Sequence, residues 1–225
     1  MQKKFKPTLA VSILVATIFG MSSASAVPTN DIRITEVAPT GNSHSYAADW
    51  FELTNIGLLA VDITGWKMDD SSFSTASAVA LSGVTSINPG QSVVFAESSN
   101  LATTRTAFIS AWFAGSAPVG FTMGAYTGSG VGLGASGDGV VIFNSANAQM
   151  AKVSFGTASA TNTFDNAQRL DNTAISLLSV AGVNGAFSAS PLVGSPGAVP
   201  LPAAVWLLGS ALMGIGTLRA RRRQI

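Results

Sequence analysis

An all-β fold, a sandwich carrying one short helix, is what the central part of this sequence predicts. Three observations point there. Short runs of alternating or continuous apolar residues recur along it. Clusters of Gly, Pro and Asn separate these runs, as turns do in sandwiches. Only one segment, near its middle, carries a helical period instead.

Taken in order, Ile32-Arg33-Ile34-Thr35-Glu36-Val37 alternates apolar and polar residues before Pro39-Thr40-Gly41-Asn42 breaks it. Trp50 to Thr54 reads as a second strand, ended by Asn55 and Gly57. Val61 to Thr64 leads into Gly65-Trp66-Lys67-Met68. Asn88-Pro89-Gly90 is a turn signal before the apolar strand Ser92 to Ala96. Between Asn100 and Phe113, Phe108, Ile109 and Trp112 share one helical face, and Asn100 is placed to cap it. This helix is expected to pack over an edge or end of a sheet, with Thr103, Thr104 and Arg105 outside. Gly124 to Gly139 reads as a long flexible connection; its alternating glycines lack the strand-to-helix crossover of a dinucleotide site. Gly139 to Phe143 and Ala151 to Phe155 then form a hairpin around Asn144 to Gln149.

Both ends of the sequence read as addresses. Lys3, Lys4 and Lys6, the apolar stretch Leu9 to Gly20 and the small residues Ala24-Ser25-Ala26 make a secretory signal peptide over residues 1–26, cut after Ala26 by signal peptidase. At the other end Val199-Pro200-Leu201-Pro202-Ala203 precedes an uncharged run from Ala203 to Leu218, then Arg219, Arg221, Arg222 and Arg223. As a helix, residues 203–218 would reach about 24 Å, short of a hydrocarbon core about 30 Å thick, so they span it only with local thinning or help from flanking residues. By these physical terms alone an ordinary C-terminal membrane anchor is an equal reading. The arginines stay cytoplasmic. Trp206 then falls near the outer interface.

The body between, residues 27–198, holds five basic and eleven acidic side chains, although the whole chain carries +1. An acidic surface without Lys and Arg clusters argues against nucleic acid. Cysteine is absent, so no disulfide or Cys-His chemistry is available. No cofactor is implied.

Candidate chemistry is sparse. His44, the sole histidine, lies in a loop without a G-x-S-x-G elbow and reads as solvated. Glu36, Asp49 and Glu52 fall on two strands expected to be neighbours and could pair for glycoside hydrolysis. The competing reading has Asp49 and Glu52 bonded to loop N–H groups, or to Arg33 and Arg169. Asp69, Asp70 and Asp138 are weak Ca²⁺ candidates on turns, without the spacing of an EF-hand loop. Trp50, Trp66 and Trp112 are expected in the core rather than on a carbohydrate platform.

The tail Val199-Pro200-Leu201-Pro202-Ala203-Ala204, its apolar run and its arginines resemble the PEP-CTERM class of bacterial sorting signals, in the VPLPA-CTERM variant. Leu201 stands where the founding motif has Glu. The resemblance implies recognition by an exosortase, a membrane-embedded cysteine transpeptidase that cuts near the prolines. In the body, Ile34-Thr35-Glu36-Val37, Asp49-Trp50-Phe51-Glu52-Leu53-Thr54-Asn55 and Asp62-Ile63-Thr64-Gly65-Trp66 resemble the opening of a lamin tail domain. Ile87 to Val94, Leu133 to Val140, Gln168-Arg169 and Ser195-Pro196-Gly197-Ala198 continue that pattern. It implies an immunoglobulin-like sandwich acting as an accessory, binding or adhesive module.

The expectation is an exported, non-enzymatic surface or extracellular-matrix protein. It would pass through the inner membrane, be held there transiently by residues 199–225, and finish at the cell surface or outside, with exopolysaccharide as its expected surroundings. A carbohydrate- or Ca²⁺-binding module is the alternative, and a hydrolase built on Glu36, Asp49 or Glu52 is a third reading.

Overall fold

A computed structural model describes residues 31–127, 130–166 and 173–198. These form a mainly β structure with one helix. The first strands are β1 (Ile32–Ala38), β2 (Trp50–Asn55), β3 (Val61–Asp62), β4 (Lys67–Asp69), β5 (Val79–Ser82), β6 (Ser86–Ile87) and β7 (Ser92–Glu97). The helix α1 (Leu101–Phe113) follows. After it come β8 (Thr122–Tyr126), β9 (Asp138–Phe143), β10 (Gln149–Phe155), β11 (Phe164–Asp165), β12 (Thr173–Ile175), β13 (Phe187–Ala189) and β14 (Leu192–Gly194). Signal peptide and sorting tail, with Trp206, lie outside the described residues.

Ten strands join in one mixed sheet, ordered β11-β1-β2-β7-β8-β5-β4-β9-β10-β12, that coils until it is nearly closed into a barrel. Strand β5 bonds both β8 and β4, so the two expected layers are joined into one continuous order. Near the seam, the rings of Phe155 on β10 and Phe164 on β11 lie 5.2 Å apart. Period-two alternation explains the lining: Ile34, Phe51, Leu53, Val93, Phe95, Val140, Ile142 and Val153 point inward to the main core.

The helix exists where it does because of its neighbours. Strands β7 and β8 are parallel, and parallel neighbours need a crossover rather than a tight turn; α1 is that crossover. Asn100 caps it, its Oδ1 accepting from the Thr103 N–H at 3.2 Å. Ala114, left-handed at φ 50°, ends it. Buried Phe108 and Trp112 meet Trp50 edge-on at 5.6 and 5.9 Å. Helix α1 thus lies on the outward face of β2 and β7, running from the Trp50 end to Phe121 at the other, and not along a sheet edge. Each of these large rings contributes roughly 1.5–3 kcal/mol by leaving water. All three core tryptophans of the body, Trp50, Trp66 and Trp112, are buried as expected.

The stretch Gly124 to Gly139 departs from its expected form. Gly124 belongs to strand β8, and Val131 and Leu133 are buried in the main core. A Cβ at Gly124 would lie 2.5 Å from the Phe95 ring and 2.6 Å from the Ser82 carbonyl oxygen. Glycine stands there for close packing, not for flexibility. No helix among the described residues is long and apolar enough to cross a membrane.

Candidate functional site

Two carboxylates organise the outward face of the barrel. In the β1–β2 ladder Glu36 stands opposite Glu52, and the register shifts between Ile34 and Glu36. The extra residue, Thr35, lets Ile34 and Val37 both reach the core while Glu36 joins Glu52 on the other face. The side chains are 0% and 2% exposed. What covers them is the end of the described chain: the hairpin β13–β14, then Ser195 to Ala198.

This closing segment is held by the carboxylates themselves. Glu36 Oε1 accepts from the Ser195 N–H at 2.8 Å and from the Thr163 hydroxyl, while Oε2 accepts from the Ser195 hydroxyl at 3.0 Å. Glu52 Oε2 accepts from the Gly197 N–H at 2.6 Å, and its Oε1 from the Thr35 hydroxyl at 2.7 Å. The seam continues through Thr35, Thr54 and Ser92, whose hydroxyl donates to the Ala198 carbonyl at 2.9 Å. A bond from a backbone N–H to an ionised carboxylate is the strong kind, and the Gly197 bond to Glu52 is of that kind. Burial, and then the nearby Glu52 charge, push the Glu36 carboxyl up to about 8; the bonds from Thr163 and Ser195 work the other way.

Chemically this pair can hold a proton and a strand of backbone, and the closing segment lies over it. Glycoside hydrolysis needs two carboxylates flanking a bound substrate, whereas here the chain itself fills that space. Asp49 does not join the pair. Its Oδ1 accepts from the Asn42 N–H at 2.9 Å and its Oδ2 from the Asn42 amide at 3.3 Å. The reading of Asp49 and Glu52 as acceptors of loop N–H groups therefore holds for both; Arg169 lies outside the described residues. Asp49 instead borders a cleft of about 560 Å³ with Glu97, Ser98, Ser99 and Thr127. Burial raises both acids above their usual range, and for Glu97 the Asp49 charge adds to it.

The other candidates stand at strand ends and in loops. Asp69 is buried, its Oδ2 accepting from the Ser72 hydroxyl and the Ser74 N–H at 2.6 and 2.7 Å. Asp70 accepts from the Ser72 N–H at 2.9 Å. Asp138 ties two loops, accepting from the N–H groups of Ser71, Gly134 and Gly139. Among the described residues no three His, Asp or Glu side chains gather to hold a metal ion. His44 ends a 3-10 turn (Gly41–Ser43), half-buried with its ring 5.8 Å from Tyr46. The crevice beside it measures about 10 Å³, room for a water and not for a substrate.

Thr163, Ser195 and Gly197 carried no signal of a shared role, since they meet Glu36 and Glu52 only through the fold. The partnership of Glu97 with Asp49 likewise depends on Glu97 ending β7 beside the start of β2.

Searches of curated proteins and of solved structures return no match to this chain. The family model of the Lamin Tail Domain matches residues 25–182. That span takes in every strand from β1 to β12 and the helix, and stops before the hairpin that covers Glu36. The chain belongs to the lamin tail domain family.

Proposed function

We propose that this protein is an exported, non-enzymatic module of the cell surface or extracellular matrix, with a structural or adhesive role in exopolysaccharide. Residues 1–26 act as the signal peptide and residues 27–198 as the folded cargo, an immunoglobulin-like sandwich of lamin-tail type. Residues 199–225 act as a VPLPA-type sorting signal, with an exosortase-type enzyme as processing partner and the inner membrane as temporary support. The observation that carries this reading is the way the body ends. Ser195 to Ala198 is bonded down across β1, β2 and β7 immediately before Val199-Pro200-Leu201-Pro202. A finished domain and a processing motif are thus adjacent in the chain. The covered Glu36–Glu52 pair supports the non-enzymatic part.

Fractionation of the native host tests it. The expected result is the body at the cell surface or in the matrix, lacking residues 1–26. Protein confined to the cytoplasm and starting at Met1 would overturn it. The open cleft beside Asp49 and Glu97 favours carbohydrate binding as a second reading, tested by a polysaccharide binding panel with Glu97→Gln as the weakened variant.

A further inference from the structure

We propose that one end of the barrel seats directly on a lipid bilayer through Ile56, Leu58, Leu59 and Val119. Strand registers define that end. Asn55, closing β2, stands opposite Ile32 at the start of β1; Thr54 stands opposite Ser92 at the start of β7; and Val93 stands opposite Thr122 at the start of β8. The loop after β2 and the loop before β8 therefore emerge together. The first, Ile56-Gly57-Leu58-Leu59-Ala60, leaves Leu58 90% and Leu59 78% exposed, with Ile56 beside them. The second, Ala117-Pro118-Val119-Gly120, leaves Val119 fully exposed. Neither loop contains a charge.

Single exposed apolar residues are ordinary. Four at one end, on two uncharged loops, form a patch that calls for a partner. The described chain says which. Ala198 is bonded to Ser92 at this same end, and Gly197 lies close against Phe121, two residues from Val119. From there the sequence enters Val199 to Ala203 and the uncharged run to Leu218. If that run is in the bilayer, as the sorting reading has it, the patch stands at the bilayer surface. The charges nearby, Asp31 and Asp62 with Arg33 opposite Thr54 and Arg105 over the Phe121 ring, are mixed in sign, so the contact is made by apolar insertion at the interface rather than by a basic cluster. The Asp49–Glu97 cleft, at the Trp50 end of β2, then points away from the membrane.

The absence of cysteine makes the test clean. Leu58→Cys, Val119→Cys and, at the far end, Ser99→Cys are each made in the full chain and labelled with an environment-sensitive fluorophore. Each is then mixed with vesicles of phosphatidylethanolamine and phosphatidylglycerol containing nitroxide lipid. The expected result is flotation with the vesicles, with blue-shifted emission and nitroxide quenching at 58 and 119 and neither at 99. Flotation with all three labels equally wet would overturn the docking and leave the tail reading standing. Failure to float would overturn both. A blue shift at 58 that needs no lipid and grows with protein concentration would assign the patch to a second copy of this chain, and overturn the docking.

Discussion

Replacing Glu36 by glutamine should remove a pH dependence of stability that the fold itself creates. The Glu36 carboxyl is wholly buried beside Glu52 and stands at about 8, against 4.5 when free. A raised acid binds its proton more tightly folded than unfolded. Below about 4.5 both states are protonated and nothing is lost. Between 4.5 and 8 the folded state keeps a proton the unfolded chain releases, so stability falls as pH rises. Above about 8 the full cost of a buried charge is present. Each tenfold change in proton affinity is worth about 1.4 kcal/mol, so the whole effect is on the order of 5 kcal/mol, a large part of a typical domain's 5–15 kcal/mol. The glutamine amide would keep an oxygen for the Ser195 N–H and Thr163, while its NH₂ donates to the Ser195 hydroxyl. Denaturant unfolding followed by tryptophan fluorescence from about pH 5 to about pH 9 reads this. Wild type should lose several kcal/mol across the range, while Glu36→Gln stays much flatter and is the more stable of the two once the pH exceeds about 8. Equal slopes in the two proteins, or a wild type that gains stability toward alkaline pH, would refute the account of the pair.

Other expectations follow from single contacts. At Gly194 a Cβ would lie 2.6 Å from Glu36 Oε1 and 2.9 Å from Trp112, so Gly194→Val should lift the covering segment and cost about 1–3 kcal/mol, read by thermal unfolding. Asn100→Ala removes the cap on α1 and should cost about 1 kcal/mol; an unchanged melting temperature would mean the cap does not hold the crossover. Among the described residues Asp69 Oδ1 has no hydrogen-bond partner, but Asp69 Oδ2, Asp70 and Asp138 bond turn groups. No three carboxylates gather among those residues, so millimolar Ca²⁺ should leave the melting temperature where it is. A rise of several degrees would restore a Ca²⁺ site.

Much of this fold was legible because its signals are local. Alternation marks β1, and continuous apolar runs mark β2, β7 and β9. A shared face with a capping Asn marks α1. Strand β8 was not legible, because Gly124 reads as a loop signal while its real cause is the Phe95 ring on the neighbouring strand. Strands β11 to β14 are two or three residues long, too short for any periodicity. The pairing of Glu36 with Glu52 could be anticipated from two adjacent strands. That Ser195 and Gly197 would return across more than a hundred residues to cover them could not, since small turn residues carry no address of their own. Asp49 was grouped with the two glutamates because their strands were expected to be neighbours, yet it stands just before β2 with Asn42 and Glu97.

The central claim is that a finished domain is handed to a processing step at the Val199-Pro200-Leu201-Pro202 junction. Intact mass and terminal peptide sequencing of protein purified from its native host test this most directly. The account predicts a chain beginning at Val27 and ending near the proline motif, with residues 203–225 gone. A chain that still ends at Ile225 would contradict it and leave residues 203–218 as a simple permanent anchor.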